Sequence, residues 1–404
     1  MTRAVGEAAD AYVWGYPLVT THRTCAAHGG VGRGMVAMDR LSTAADRTVV
    51  APNNDTLYAS GWYDLRTGDL TVDVGDMDPR RYWSVMVLDA YTHVAYVCRR
   101  LHGCNGAHVR VTHDLDTQPI VDVASDVLPV GTSTVWVLAR VVVDGPDDLP
   151  AARRALSCIH VRQPPDHASP GAVRAAPRRE GAAGFFRSLA AALAVDPPAA
   201  WHPPPPPGIE ALLADLPDAD VLADAAADGE ARIASGTGAD RRGNGWATRA
   251  RGADFGDDVE YRAAFAKVSL AGHLPAENRS YTRAADGSTT TTLRFPPGGE
   301  PQVGGFWSLT VYDRDLFLVE NELGRYSIGD RTPGLRRDAD GSLPITIGHQ
   351  RPDDTSNWLP APSGPGYLAL RAYEGHAAVV DARWFPPDLT LFAGADPAPS
   401  NHAR

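Results

Sequence analysis

Lysine is almost missing from this chain: Lys267 stands alone among 38 basic residues in a sequence of 404. Arginine keeps its proton and forms no Schiff base, so amine chemistry is confined to that one position. A structural lysine in an arginine-rich chain is the plainer reading. Cysteine is also scarce. Cys25, Cys98, Cys104 and Cys158 form no CxxC pair, which excludes a disulfide framework and the common zinc modules. No apolar run is long enough to span a bilayer, and the N-terminus, MTRAVGEAADAYVWGYPLVTTHRT, is interrupted by acids where a secretory signal needs an apolar core. The expectation is a cytoplasmic protein without membrane contact. A net charge of -11 argues against nucleic acid as a partner, since that needs a basic face. There is no GxGxxG, Walker loop, GxSxG elbow or HExxH, so no cofactor is expected and any catalysis falls to side chains.

With 44% apolar and 22% charged residues, the length suggests two domains. Ala8, Ala11, Tyr12, Trp14 and Tyr16 predict a short N-terminal helix ended at Gly15-Tyr16-Pro17. Short alternating runs then predict strands: LTVDV (70–74), RYWSVMVLD (81–89), HVAYVCR (93–99), HVRVTH (108–113) and TVWVLARVVV (134–143). Asp147 and Asp148 should cap a helix running towards Ile159, with a proline-bearing loop after it. Helical periodicity follows at 182–195, 209–235 and 257–271, with a stiff proline connector at 197–208. Strands return in TTTTLRF, FWSLTVYD, LPITIG and GYLALRAY.

The two strand-rich regions resemble each other. Tyr82-Trp83-Ser84-Val85-Met86-Val87-Leu88-Asp89 aligns with Phe306-Trp307-Ser308-Leu309-Thr310-Val311-Tyr312-Asp313, and Trp136 to Arg140 with Tyr367 to Arg371. From the Trp to the Arg is 57 residues in one copy (140 minus 83) and 64 in the other (371 minus 307). The expected fold is therefore mainly β within an α+β class: two duplicated antiparallel β-sandwich or jelly-roll-like domains, a helical connector and an N-terminal helix. Domains are expected over 1–165, 166–270 and 271–404. Trp83 and Trp307 share faces with Val85, Val87, Leu309 and Val311 and read as core.

APNNDTLYASGWYDL followed by RYWSVMVLDAYTHVAYV resembles the N-terminal domain of the DUF1254 family. GGFWSLTVYDRDLFLVENELGRYSIGDR, DADGSLPITI and NWLPAPSGPGYLALRAY resemble its companion domain, DUF1214. NGW (244–246) and YRAAFA (261–266) fit the same architecture, so the likeness covers nearly the whole chain. It implies two β-sandwich-like domains with helices packed about them. It implies no chemistry; many relatives are exported, and with no signal expected at this N-terminus the departure leads to the expectation of a cytoplasmic role in specialised metabolism.

Asn53, Asn54, Asp55, Thr56 and Tyr58 match that family's Pro-Asn-x-Asp-Thr-x-Tyr signature. The group offers amides, a carboxylate and a phenol: either a hydrogen-bonded structural knot or a substrate floor with Asp55 and Tyr58 moving protons. Asn321, Arg325 and Tyr326 form a second cluster in which Arg325 could hold a carboxylate or bond loop carbonyls, and Asn357 and Trp358 could line the same cavity. His93 could act as acid or base near neutral pH. With Cys98, His102, Cys104 and His108 it makes a dense set, but the spacings match no metal pattern and no metal is expected. Asp338-x-Asp340-Gly341-Ser342 resembles the start of a calcium loop but has His349 at the twelfth position, and a turn explains it better.

The functional expectation is a cofactor-independent enzyme on a small polar or amphipathic metabolite, working by hydrolysis, elimination or isomerisation. The alternative is a non-catalytic binding protein for carbohydrate-like or hydrophobic ligands. The partner is then a small-molecule substrate, and a homo-oligomer is compatible with the sequence.

Overall fold

The computed structural model describes residues 2–120, 123–164 and 180–392, so the proline-bearing loop after Ile159 lies largely outside the described residues. Two compact units draw on interleaved stretches of chain. Unit 1 takes Met1–Arg40, Thr56–Gly238 and Arg251–Glu277; unit 2 takes Leu41–Asp55, Ala239–Ala250 and Asn278–Arg404.

Unit 1 holds strands β1 (Val36–Met38), β2 (Thr56–Asp64), β3 (Leu70–Asp76), β4 (Trp83–Asp89), β5 (Val94–Cys98), β6 (Asn105–His113), β7 (Val127–Val130), β8 (Thr134–Val142) and β9 (Ile159–Arg162). They form two sheets, in the orders β1-β2-β8-β4-β5 and β7-β6-β3-β9. Unit 2 holds β10 (Arg241–Gly243), β11 (Trp246–Thr248), β12 (Asn278–Asp286), β13 (Thr291–Phe295), β14 (Trp307–Asp313), β15 (Ser327–Gly329), β16 (Leu343–Gly348), β17 (Trp358–Pro360), β18 (Pro365–Tyr373) and β19 (Leu389–Leu391). Its sheets run β10-β11-β12-β18-β14-β15 and β17-β16-β13-β19.

The duplication read from sequence is thus a duplication of topology. β2-β8-β4-β5 repeats as β12-β18-β14-β15, and β7-β6-β3-β9 as β17-β16-β13-β19. The sheets are antiparallel except for β6 with β7 and β16 with β17, a parallel pair recurring at the same place in each copy. Alternation cannot reveal this, because side chains point to alternate faces whatever the direction of the neighbouring strand.

Every residue of β4 and β8 is buried, so both faces of the larger sheet in unit 1 are covered. Cross-strand register sets Tyr58, Arg140, Ser84 and Cys98 in one row. Trp62, Trp136, Leu88 and Val94 make another row of that face, stacked under Ala253, Phe255, Phe265 and Leu274. In unit 2, Trp307, Leu309 and Val311 pack with Leu293, Phe295, Ile345 and Ile347.

Helices α1 (Thr2–Ala27), α2 (Arg99–His102), α3 (Leu149–Ser157), α4 (Gly181–Val195), α5 (Ile209–Ala214), α6 (Ala219–Ser235) and α7 (Val259–Val268) belong to unit 1, and α8 (Ala377–Val380) to unit 2. α1 passes through Pro17 instead of ending there. A proline inside a helix costs about 3 kcal/mol, and α1 offsets that by burying Tyr12, Trp14, Tyr16, Leu18 and Val19 against residues of α4, α6 and α7. Gly15 is the point of closest approach, where a Cβ would stand 2.5 Å from Leu189. Asp148 precedes α3 but makes no capping bond. Its carboxylate instead grips Arg81 at 2.6 and 2.7 Å and accepts from Asp144 N.

Candidate functional site

The turn after β4 brings together a cluster of titratable side chains in unit 1. Asp89 Oδ1 accepts backbone N–H bonds from Tyr91 and His93, both at 2.9 Å, so its carboxylate shapes the turn that carries His93. Its Oδ2 accepts from His202 Nε2 at 2.9 Å and lies 3.4 Å from His93 Nδ1. The two imidazoles stack, with centroids 4.7 Å apart. Arg262, from α7, lies on the other side of His93: Nη1 is 3.0 Å from Nδ1 and Nη2 2.9 Å from Nε2, while Nη1 also donates to Tyr91 O. A His93 tautomer with its proton on Nδ1, directed to Asp89, leaves Nε2 to accept from Arg262 Nη2 while Nη1 directs its hydrogen to Tyr91 O. The result is a carboxylate, imidazole, guanidinium relay.

Asp89, His202 and Arg262 are buried, and His93 alone keeps 19% of its side chain exposed. Burial works against ionisation of Asp89, but the two imidazoles outweigh it and hold the carboxyl well below the usual range. Burial, and then the Arg262 charge, push His93 down to about 4 although Asp89 pulls the other way. Burial lowers Arg262 to about 10 against the pull of Asp89. His93 is therefore a neutral imidazole near pH 7, flanked by an anion and a cation.

Asp89, His93 and His202 present ligand atoms within 4.8 Å of one another, a set that in other surroundings holds a divalent metal. These surroundings do not suit one. His202 Nδ1 accepts from Ala199 N at 3.0 Å, which fixes the ring proton on Nε2, the atom a metal would need. The guanidinium of Arg262 already lies against both nitrogens of His93. The cationic place is filled by the chain itself.

The second copy shows what is structural in this turn. Asp313 Oδ1 accepts from Asp315 N and Phe317 N, repeating the Asp89 pattern two and four residues on. Phe317 stands where the first copy has His93, and Arg47 lies over its ring at 4.2 Å. Acid, ring and cation recur, but only in unit 1 is the ring titratable and the cation buried.

Trp201 meets His93 edge-on at 4.7 Å and packs on His202. A Cβ at Gly131 would stand 2.7 Å from Trp201 and 3.0 Å from His202. Gly131→Ala is expected to destabilise unit 1 by about 1–3 kcal/mol through overpacking, read as a lower denaturation midpoint. An unchanged midpoint would mean that the Trp201 and His202 segment yields easily.

The Asn53 to Tyr58 stretch divides between the units. In unit 2, Asp55 is 3% exposed and accepts from Ser308 Oγ at 2.6 Å, with Ser327 Oγ and Arg331 Nη2 each at 3.5 Å. Asn53 accepts from Asp55 N and donates to Tyr373 Oη, both at 2.6 Å, and Asn54 donates to Ser42 O. In unit 1, Thr56 is buried, and the Tyr58 ring lies 5.2 Å from the Arg140 guanidinium. Arg140 is itself buried, lies 3.7 and 3.9 Å from Met86 Sδ, and among the described residues leaves Nε without a hydrogen-bond partner. Glu277, fully buried beside that row, accepts from Tyr82 Oη at 2.7 Å.

The remaining candidates make local bonds. Asn321 spans its own loop, accepting from Arg325 N and donating to Arg325 O. Arg325 Nη1 donates to the carbonyls of Thr355, Ser356 and Trp358. Tyr326 packs with Tyr312, Leu318 and Ala369. Asn357 bonds backbone groups of Arg336 and Pro344, and Trp358 is buried and donates to Gly348 O. His108 pairs with Asp73 at 2.6 Å, and His102 Nδ1 accepts from Cys98 N at 3.4 Å, so neither shares the partners of His93. Lys267 is held by Glu230. At the calcium-like stretch, Gly341 N donates to Asp338 O in a turn with φ +85° at Gly341.

Sequence reading did not find Asp89, His202 or Arg262 as site residues. Asp89 was visible only as the end of the repeat, and Arg262 only within YRAAFA. His202 lies 113 residues beyond Asp89 among prolines, with no spacing signal. Unit 2 also holds a cavity of about 290 Å³ lined by Glu300, Trp307, Asp330, Thr332, Leu335 and Leu343 among others.

Paired two-sheet units with a helical group in the first define a tandem β-sandwich protein with a buried acid, imidazole and guanidinium centre. Residues 34–163 match the model of a protein of unknown function, DUF1254, and residues 274–377 that of another, DUF1214. The chain belongs to the two-domain DUF1254/DUF1214 family. No curated protein matches it. Among solved structures it is similar to the VPA0106 protein from Vibrio parahaemolyticus, at 20% identity and a TM-score of 0.68 over 96% of this chain and 100% of that one. It is also similar to an uncharacterised protein from Burkholderia cenocepacia, at 11% identity and a TM-score of 0.50 over 97% and 94%. These likenesses concern the fold.

Proposed function

We propose that this protein is a cofactor-independent enzyme that moves a proton on a small polar metabolite, with His93 as the acid/base group. The observation that carries the reading is the one partly exposed imidazole in a buried cluster, held neutral between Asp89 and Arg262. A general base must be unprotonated at working pH and fixed in orientation. Asp89 orients the ring through Nδ1. Arg262, whose Nε has no hydrogen-bond partner, has donor capacity for an oxygen that gains charge as a C–H proton leaves. Isomerisation or elimination beside a carbonyl fits this arrangement: His93 Nε2 takes the proton while the guanidinium turns from the imidazole to the developing oxyanion.

The test needs no known substrate. The protein is incubated with a metabolite extract in deuterium oxide, and carbon-bound deuterium is read by mass spectrometry. Wild type is expected to label one compound class, and His93→Gln to label it about 10²–10⁴-fold more slowly at an unchanged denaturation midpoint. Equal labelling by both proteins would sink the proposal, as would no labelling at all. A ligand-binding role is the second reading, favoured by the cavity in unit 2.

A further inference from the structure

We infer that the cavity in unit 2 is a binding site for a small organic cation, an ammonium or guanidinium group carrying a short apolar chain, recognised by Asp330. The cavity lies in the other compact unit from the His93 relay and stands on separate observations.

Its chemistry follows from which charges are already matched. Glu300 is bound by Arg337, which also lines the cavity and whose charge is taken up by that carboxylate, and Arg337 Nη1 donates to Gly341 O. Asp55 has Arg331 Nη2 at 3.5 Å, and the Arg331 guanidinium lies over the Phe306 ring at 3.9 Å. Asp330 differs from both acids. Its Oδ1 accepts from Trp307 N at 3.2 Å and lies 3.8 Å from Arg331 Nε, a cation shared with Asp55, while no hydrogen bond from another side chain reaches the carboxylate among the described residues. With 36% of the side chain exposed, that carboxylate is within reach of a ligand. The cavity thus presents one carboxylate whose charge the neighbouring arginines leave only partly matched.

The rest of the lining sets the ligand's size and body. Leu335, half-buried, gives a short chain its apolar contact, while Leu343 and Trp307 border the cavity but are buried and offer it little surface. Thr332 Oγ1 accepts from Gly329 N at 2.9 Å and keeps a second lone pair that can accept from an ammonium N–H. At about 290 Å³ the space is at the small end of ligand pockets, so it suits a monoamine or a short diamine better than an oligosaccharide. A cation seated on a fixed carboxylate gains a charge-assisted bond that a neutral alcohol of the same shape does not.

Ligand-observed NMR at pH 8 with full-length protein tests this, using n-butylammonium as the probe and n-butanol as its neutral counterpart. Wild type is expected to bind the ammonium at least 10-fold more tightly than the alcohol. Asp330→Asn is expected to lose that preference while keeping its denaturation midpoint, and Asp330→Glu to keep part of it. Leu335→Ala should weaken the ammonium without restoring the alcohol. No binding of n-butylammonium by wild type overturns the inference, as does equal binding of the two probes or undiminished preference in a folded Asp330→Asn. Should Asp330→Asn fail to fold, Asp330→Glu decides: retention of the wild-type selectivity in part supports the site, and its complete loss in a folded protein overturns it. The comparison with His93→Gln reads unit 1 and the Asp330 variants read unit 2, so failure of either proposal leaves the other standing.

Discussion

Arg262→Met is expected to cost unit 1 about 3–5 kcal/mol, because it removes a buried cation that the charge of Asp89 supports and takes its donor from Tyr91 O and the His93 ring. The guanidinium is 3% exposed, lies against both nitrogens of His93 and donates to Tyr91 O. Methionine fills similar volume, so the loss reports charge more than packing. Asp89→Asn combined with Arg262→Met should recover a good part of it, since no unmatched charge then remains, and chemical denaturation of the four proteins forms the cycle. A loss under about 1 kcal/mol for the single variant would show that Asp89 does not need Arg262.

The same variant has a pH signature. His93 lies at about 4 in the folded protein against 6.5 ordinarily. As pH falls below about 6.5 the unfolded chain takes up the proton first, so wild-type stability declines between roughly pH 6.5 and 4, by about 3 kcal/mol from this group. Asp89, held low in the folded state, adds a loss of the same sign at still lower pH. Arg262 is one of the causes that depress His93, so its removal should raise that imidazole and shrink the decline. The acid limb of any proton-transfer activity, near pH 4 in wild type, should move to higher pH with it. A pH profile that does not move would separate Arg262 from His93.

Asp55→Asn carries the second large effect. Asp55 is buried in unit 2, bonded by Ser308 and close to Arg331. Its charge also bears on Arg371, whose guanidinium burial opposes and whose neighbours Tyr312, Tyr373 and Asp55 together hold it charged. Asparagine keeps the shape and removes the charge, so the expected loss of about 3–5 kcal/mol belongs to electrostatics. The midpoint of unit 2 should fall, while deuterium labelling per folded molecule stays at the wild-type rate. Lost labelling in a folded Asp55→Asn would move the acid/base centre from His93 to Asp55.

Much of this fold is written locally. Alternation in RYWSVMVLD and FWSLTVYD predicts strands, and their likeness predicts the duplicated topology that the sheets display. What escaped depends on distant partners. Pro17 reads as a helix end, and only the face buried against α4, α6 and α7 carries the helix to Ala27. Asp148 reads as a cap, but Arg81, distant in sequence, claims its carboxylate. Of the candidate site, His93 was legible as an unusual imidazole at the end of a repeat. Its companions came from a proline-rich segment and a helix, where neither period nor spacing marks them.

The interleaving of the two units has a consequence for synthesis. Unit 1 needs the strip Arg251–Glu277, which carries Arg262 and Glu277 and comes after a stretch that belongs to unit 2. A chain emerging from the ribosome therefore exposes the sheet face of Trp62 and Trp136 until residue 277 is out, because Phe255, Phe265 and Leu274 are what cover it. Unit 2 has the opposite order: Leu41–Asp55 emerges first and must wait for Ser308. Nascent chains halted before and after residue 277 should differ sharply in protease resistance, and the His93 relay cannot close before Arg262 has left the exit tunnel.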